Sequence, residues 1–298
     1  MNKRVITSVT NFFNQWHQRI HRFALRCKKD NIKMAAGYLS YVTLLSLVPL
    51  LAVSFSVISA FPVFETFRKS VELFIFTNFV PTSSAQIQSH MLGFVTNVSK
   101  MGTIGILALI VVALMLISSI DASINRIFAV KQKRPLVIKF SIYWMVLTLG
   151  PLIAGASLGV SSYLVSLAAF AENYSPGISD FFIRLLPFVL STFGFFVLYM
   201  LVPNKLVNWK AAFYGAIFAG VLFEVSKRVF AFYVTSFPSY QVIYGALAAI
   251  PILFLWVYLS WILVLMGAEL TVMIEEYQSE KADKERNGEQ YLPTHKGK

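Results

Sequence analysis

The feature that most constrains this chain is a run of forty residues without a charged side chain, from Val229 to Ala268. A helix crosses the hydrocarbon core of a bilayer with about 20 apolar residues. A second uncharged run, residues 101–120, has that length. Hydrophobic residues make up 57% of the sequence and charged residues only 13%, whereas soluble domains average about 25% charged residues. The sequence therefore predicts an all-α, polytopic membrane helix bundle.

Six apolar segments predict six transmembrane helices. They lie at about 34–61, 101–120, 140–171, 185–204, 211–232 and 246–269. Residues 1–33 have a basic face and an apolar face at helical spacing, which is typical of a cytosolic amphipathic helix at the membrane interface. Residues 34–274 form the predicted membrane domain, and residues 275–298 form a charged cytosolic tail. Apolar side chains at helical spacing in residues 65–100 predict two short interfacial helices on the outer surface.

The distribution of basic residues predicts the orientation. Twenty Lys and Arg residues lie in the N-terminal segment, the second and fourth loops and the tail, whereas the other three loops hold four. Because basic loops stay in the cytosol, both termini are predicted to be cytosolic, in a bacterial inner membrane. The net charge of +12 is then explained by anionic lipid headgroups at the cytosolic face, and not by nucleic acid. The sequence leaves a homo-oligomer open.

Three charged residues interrupt the fifth predicted span: Glu224, Lys227 and Arg228. The acid precedes the two bases by three and four residues, so all three share one helix face. An ionised group at the centre of a spanning helix costs about 2.5–3.5 kcal/mol, so it needs a partner or a polar cavity. Two interpretations stay open. Either Glu224 neutralises one of two bases that reach the outer interface, which we favour, or the cluster lines the path of a substrate or ion.

Other positions in the predicted spans carry local signals. Pro49, Pro151 and Pro251 lie inside predicted spans, where proline removes a backbone donor and breaks or bends a helix. Asp121 and Glu269 are predicted to mark the membrane boundary at the ends of the second and sixth spans.

Two sequence patterns in the third predicted span concern its relation to other helices. Residues 41–52 align with residues 143–154 through matching Tyr, Leu, Pro and Ala positions. Two interpretations stay open: a chance match between apolar segments, which we favour, or a parallel duplication of two helix pairs. Gly155 and Gly159, four residues apart, form a weak signal for close helix packing.

The chain contains one cysteine, Cys27, so it has no intramolecular disulfide. Basic neighbours are able to lower a thiol pKa, but we interpret Cys27 as an incidental thiol. His17 and His21 have the spacing of metal ligands on a helix, yet no carboxylate or thiolate joins them at ligand spacing. We therefore expect no metal and no cofactor.

Several strings resemble the YihY/BrkB-type family of bacterial inner-membrane proteins, and especially its YihY-like branch. They are AGYLSYVTLLSLVPLLAV (36–53), SIDASINRIF (119–128), YWMVLTLGPLIAGASL (143–158), LFEVSKRVFAFY (222–233) and FPSYQVIYGALAAIPILFLWVYLSWILVLMGAELT (237–271). They stand in family order, and the resemblance extends from about residue 20 to 280. It implies an inner-membrane protein. The family's name reflects resistance to host killing, and the label ribonuclease BN was once attached to it.

The residues themselves argue against a nuclease. Metal-dependent hydrolysis needs clustered carboxylates or histidines, whereas the acids before the tail are scattered singly. We therefore expect no enzymatic activity. Six spans, proline-interrupted helices and an intramembrane charge cluster favour transport or flipping of an ion, solute or lipid, with the substrate unspecified. The alternative is a non-transporting scaffold for envelope integrity, in which the charges only hold helices together.

Overall fold

The computed structural model of the protein describes residues 17–59, 103–131, 134–145, 178–236 and 249–289. Within these ranges the backbone forms seven helices and no strand, which confirms the all-α class. The helices are α1 (17–29), α2 (Ile32–Ser59), α3 (Thr103–Ile127), α4 (Leu136–Met145), α5 (Ile178–Leu201), α6 (Trp209–Ser236) and α7 (Ala249–Glu289). The predicted outer helices within residues 65–100 lie outside the described residues. So do Pro151, the pair Gly155 and Gly159, and most of the aligned segment 143–154.

Three of the described helices are long and apolar enough to cross a membrane, judged by length and composition. The qualifying segments are Ile32–Leu50, Leu107–Ile127 and Ile250–Asp283. Two shorter apolar helices, Leu136–Met145 and Pro187–Leu201, accompany them. Helix α6 carries four charged residues and is not among the three. The coarse prediction of a helical membrane protein is confirmed.

The long helix α7 is the centre of the described bundle. It packs against α6 and α2, and more lightly against α3 and α5, while α2 packs on α3 and α5 packs on α6. Small side chains of α6 face this core; Ala212, Ala216 and Ala219 are all fully buried. Because small residues let helix backbones approach closely, α6 is held tightly between α5 and α7.

Large apolar side chains remain exposed in rows along single helices. On α6 the row is Val221, Val225, Val229 and Phe232, each between 46% and 69% exposed. Exposed apolar patches of this kind mark binding or membrane-facing surfaces.

The ends of several helices differ from the predicted boundaries. The sixth span was predicted to end at Glu269, whereas α7 continues to Glu289 and so includes the first part of the predicted tail. Contacts made by Glu275 and Glu276 with Lys205 and Arg26 hold this extension against the bundle.

Between α1 and α2, Asn31 has a φ of 51°, a left-handed conformation that Asn tolerates better than most residues.

The prolines behave differently from one another. Pro49 lies inside α2, and the helix continues beyond it to Ser59. Pro251 was predicted to break the sixth span, but it lies in the first turn of α7, where backbone donors lack intrahelical partners anyway. Pro251 therefore does not interrupt that helix. Pro187 lies inside α5, a helix-interior proline that the sequence analysis did not single out.

Candidate functional site

The charge cluster of α6 consists of Glu224, Lys227 and Arg228, and the structure pairs only two of the three. Nζ of Lys227 lies 2.6 Å from Oε1 of Glu224, one helical turn away. The contact is an ion pair without the alignment of a hydrogen bond. The side chains of Glu224 and Lys227 are 24% and 30% exposed. Arg228 is exposed and has no ion-pair partner among the described residues.

Aromatic rings support this cluster from the protein side. Nζ of Lys227 lies 5.5 Å from the centre of the Phe223 ring. Phe223 in turn packs at 5.7 Å from Trp256 of α7, and Trp256 lies 5.0 Å from Phe230. One side of α6 is thus sealed against α7 by aromatic packing. At about 1.5 Å per residue, Glu224 is about 22 Å along the helix from Trp209.

Glu269, predicted to be a boundary acid, is completely buried in α7. Its Oε1 accepts a hydrogen bond of 2.7 Å from Nε of Arg26 in α1. Its Oε2 is buried and has no hydrogen-bond partner in the described structure. Arg26 also pairs with Glu276 through its two terminal nitrogens. The basic face of residues 1–33 was predicted to lie at the membrane interface, and the pairing of Arg26 with Glu269 was not predicted.

Cys27 follows Arg26 and is half-buried against the core. Burial, and secondly the nearby Glu269 carboxylate, raise the pKa of the Cys27 thiol to about 11. The basic neighbours that the sequence places around Cys27 do not overcome this effect. Such a pKa corresponds to a thiol that is mostly protonated at neutral pH.

Asp121, the other predicted boundary acid, lies in α3 with its side chain 14% exposed. Its Oδ2 accepts a hydrogen bond of 2.9 Å from the hydroxyl of Tyr143 in α4. Its Oδ1 accepts one of 2.9 Å from Nδ2 of Asn125, one turn further along α3. Arg134 and Lys139 each bring a cationic nitrogen to 3.8 Å from the carboxylate. The Asp121 carboxylate thus connects α3 with α4 and with the segment between them.

Asn125 extends this network to the end of α5. Its Oδ1 accepts a hydrogen bond of 2.7 Å from the backbone N–H of Asn204. Nε of Arg134 donates to Oδ1 of Asn204 at 3.0 Å. Asn125, Arg134 and Asn204 were not predicted from the sequence to take part in a site. The available signal was the spacing of Asp121 and Asn125, four residues apart in α3, which places both on one face of the helix.

The predicted site residues therefore fall into separate places. Among the described residues, no hydrogen bond or ion pair joins the Glu224 cluster to Glu269 or to Asp121. Glu269 and Asp121 each hold helices together through bases contributed by other segments. The described part of the chain contains no group of three His, Cys, Asp or Glu side chains placed to hold a metal ion.

Long apolar helices with rows of exposed apolar side chains define a helical membrane protein. The chain belongs to the family described as virulence factor BrkB, whose model matches residues 23–290.

Similar proteins carry the name UPF0761 membrane protein. One from Alteromonas mediterranea is 52% identical over 281 residues, covering 94% of this chain and 96% of the relative. One from Pseudoalteromonas atlantica is 54% identical over 263 residues, 88% of each chain. One from Vibrio vulnificus is 51% identical over 251 residues, 84% of this chain and 80% of the relative. No solved structure matches the chain significantly.

Proposed function

We propose that this protein spans the bacterial inner membrane six times, with both termini in the cytosol, and transports or flips an ion, a solute or a lipid. The observation that carries the proposal is the open charged face of α6. Glu224 and Lys227 stay partly exposed there, and Arg228 lacks a described counter-charge. This face lies well inside a helix whose other side is buried against α5 and α7.

Charged groups at such a depth require a polar environment. Lys227 obtains part of it from Glu224 and from the Phe223 ring. For Arg228 the described residues supply no acid, so its polar contact comes from a part of the chain outside the described residues, from water, a lipid headgroup or a second copy of the chain, or from a substrate. A transport path would provide such contacts, and it would place Glu224 and Arg228 next to the moving charge.

The alternative is a membrane scaffold for envelope integrity that transports nothing. The Glu224–Lys227 contact supports it, because two side chains of one helix neutralise each other without a substrate. Neither role requires an active site. We propose a non-enzymatic role because Asp121, Glu269 and Glu275 are each occupied by a base that ties helices together.

The proposed orientation rests on the uneven distribution of Lys and Arg, and reporter fusions test it. Fusions after Lys100, Glu172 and Tyr240 are expected to report the periplasm, and fusions after Arg134 and Lys205 the cytosol. A periplasmic signal from the Arg134 fusion would contradict the six-span arrangement.

Reconstitution tests the proposed transport. The purified chain in vesicles is expected to raise ion flux or lipid exchange between leaflets above that of protein-free vesicles. Arg228→Gln removes the unpaired charge and is expected to lower that rate, while the matched variant Arg22→Gln, in α1, leaves it unchanged. If the wild-type chain supports neither ion flux nor lipid exchange, the scaffold role is favoured instead.

A further inference from the structure

A groove of about 880 Å³ opens where α5 ends and α6 begins, beside the extended part of α7. It is separate from the Glu224 cluster, which lies about 22 Å further along α6 from Trp209. The groove combines polar side chains on one wall with apolar side chains at its mouth. Its occupant is therefore defined by two kinds of chemistry at once.

The polar wall is already ordered by contacts within the protein. Nζ of Lys205 lies 2.7 Å from Oε2 of Glu275. The other carboxylate oxygen of Glu275 accepts a hydrogen bond of 3.3 Å from the backbone N–H of Asn208. Nδ2 of Asn208 donates to Oε1 of Gln278 at 2.9 Å. These contacts fix the groove's shape and neutralise Glu275.

Lys210 is the basic residue of the groove that these contacts do not pair with an acid. It is exposed, and none of the described carboxylates lies within ion-pair distance of its Nζ. Its Nζ lies 5.7 Å from the centre of the Trp209 ring, at the edge of the groove. With Lys205 and Glu275 paired, the groove carries a net positive charge, so it favours an anion.

The mouth of the groove is apolar. Leu206 is 100% exposed and Trp209 is 59% exposed, and both line the groove. Tryptophan beside lysine at the end of a membrane helix is the typical arrangement at the headgroup layer. A free phosphate ion would leave these apolar side chains uncovered, whereas acyl chains would cover them.

We propose that this groove binds an anionic glycerophospholipid of the cytosolic leaflet. Lys210 contacts the phosphodiester, Trp209 and Leu206 contact the upper part of the acyl chains, and Gln278 and Ser279 lie beside the polar headgroup. The assignment rests on the proposed orientation of the helices, but it does not depend on whether the protein transports anything.

The test compares two lipids with identical acyl chains, phosphatidylglycerol and phosphatidylcholine, added to the purified full-length chain in a neutral detergent. Native mass spectrometry measures the bound fraction of each lipid. The wild-type chain is expected to prefer phosphatidylglycerol by about fivefold, the effect of one basic residue near a membrane surface. Lys210→Gln is expected to abolish that preference, and Lys210→Arg to keep it. Lys28→Gln removes an exposed lysine of α1 outside the groove and is expected to behave as wild type.

A thermal-stability series provides a second readout and distinguishes the sources of phosphate. Phosphatidylglycerol is expected to raise the unfolding temperature of the wild-type chain, whereas inorganic phosphate at equal concentration leaves it unchanged. The proposal is overturned if the two lipids bind equally to the wild-type chain, or if Lys28→Gln lowers the preference as much as Lys210→Gln. It is also overturned if inorganic phosphate stabilises the chain as well as the lipid does. Because both readouts are binding measurements, a failed transport assay does not affect them.

Discussion

Arg26 and Glu269 are 243 residues apart in the sequence and form a hydrogen-bonded ion pair of 2.7 Å. The guanidinium of Arg26 also engages Glu276, two turns further along α7. The two carboxylates, Glu276 foremost, raise the pKa of Arg26 above its usual range, so that the side chain stays charged at any physiological pH. One base of α1 thereby holds two acids of α7, and the first described helix is fixed to the last.

The ion pair predicts a difference between two arginines of the same helix. Arg26→Gln leaves Glu269 buried without a counter-charge, and breaking such a pair costs about 3 kcal/mol. The variant is expected to unfold at a lower temperature than the wild-type chain in detergent. Arg22→Gln, one turn earlier and exposed, is the matched control and is expected to unfold like the wild-type chain. Equal unfolding temperatures for the two variants would contradict the proposal that the Arg26–Glu269 contact stabilises the fold.

Replacing the acid instead of the base is expected to be milder. Glu269→Gln removes the buried charge, and Arg26 keeps its contact with Glu276. The expected loss is about 1 kcal/mol, that of an altered hydrogen bond. The order of stability is therefore wild type, then Glu269→Gln, then Arg26→Gln, measured by thermal unfolding in the same detergent. A reversed order of the two variants would show that the charge on Glu269 is not what Arg26 compensates.

The close packing of α6 and α7 predicts a strong effect at Gly267. A Cβ atom there would lie 2.3 Å from the Tyr199 hydroxyl and 2.7 Å from Cβ of Ala219. Tyr199 is fully buried and donates to the Val264 carbonyl at 2.7 Å, so it has no room to move. Gly267→Ala is expected to lose about 1–3 kcal/mol of stability through overpacking. The amount of folded protein in membranes and its unfolding temperature measure the loss.

Gly194 provides the matched control for this substitution. It lies inside α5, and a Cβ atom there would meet nothing within 4 Å. Gly194→Ala is expected to be neutral or slightly stabilising, since alanine favours helix by about 1 kcal/mol over glycine. If both variants lose the same stability, helix packing at Gly267 is not the cause.

Much of the fold can be predicted from the sequence because the length of an uncharged run is a local property of the chain. Uncharged runs predicted most of the described helices to within several residues of their ends. Side chains three or four residues apart share a helix face, so the proximity of Glu224 to Lys227 could also be predicted from the sequence. The choice of Lys227 over Arg228 was not, because both lie within reach of the acid and surrounding packing decides between them.

Pairings between distant segments were hidden for a physical reason. A basic helix face is compatible with water, lipid headgroups or a protein carboxylate, and the sequence does not specify which of these it meets. The basic face of residues 1–33 was therefore assigned to the membrane interface, although Glu269 was recognised as an acid at a span end. The small residues of α6 show a different limit. Ala212, Ala216 and Gly220 recur every four residues, but such patterns are common by chance in apolar helices.

The half-buried position of Cys27 predicts a thiol that reacts slowly and with a strong dependence on pH. With a pKa of about 11, compared with an ordinary value of about 8.5, its thiolate is scarce at neutral pH. Alkylation by iodoacetamide at pH 8 is expected to be about tenfold or more slower than in the denatured chain. The rate is expected to keep rising between pH 9 and pH 10, where an ordinary thiol levels off. Mass spectrometry follows the reaction without ambiguity, since the chain has one cysteine.

The same thiol reports on the attachment of α1. Arg26→Gln is expected to speed alkylation of Cys27, because α1 loses its contact with α7, whereas Arg22→Gln leaves the rate unchanged. An unaltered rate in Arg26→Gln would mean that apolar packing alone keeps α1 in place.

The last prediction concerns the Glu224–Lys227 pair, for which the structural and transport roles differ in outcome. If the pair is structural, Glu224→Gln leaves Lys227 without its acid and lowers the amount of folded protein, at a cost of about 1–3 kcal/mol. Exchanging the two residues, Glu224→Lys with Lys227→Glu, is then expected to restore much of that amount. The matched exchange with Arg228 is not expected to do so, because the structure pairs Glu224 with Lys227. If Glu224 instead faces a hydrated path, Glu224→Gln keeps normal abundance and loses flux in reconstituted vesicles. Abundance by immunoblot and flux by reconstitution, measured on the same variants, decide between the two roles, and normal abundance with lost flux would contradict the structural one.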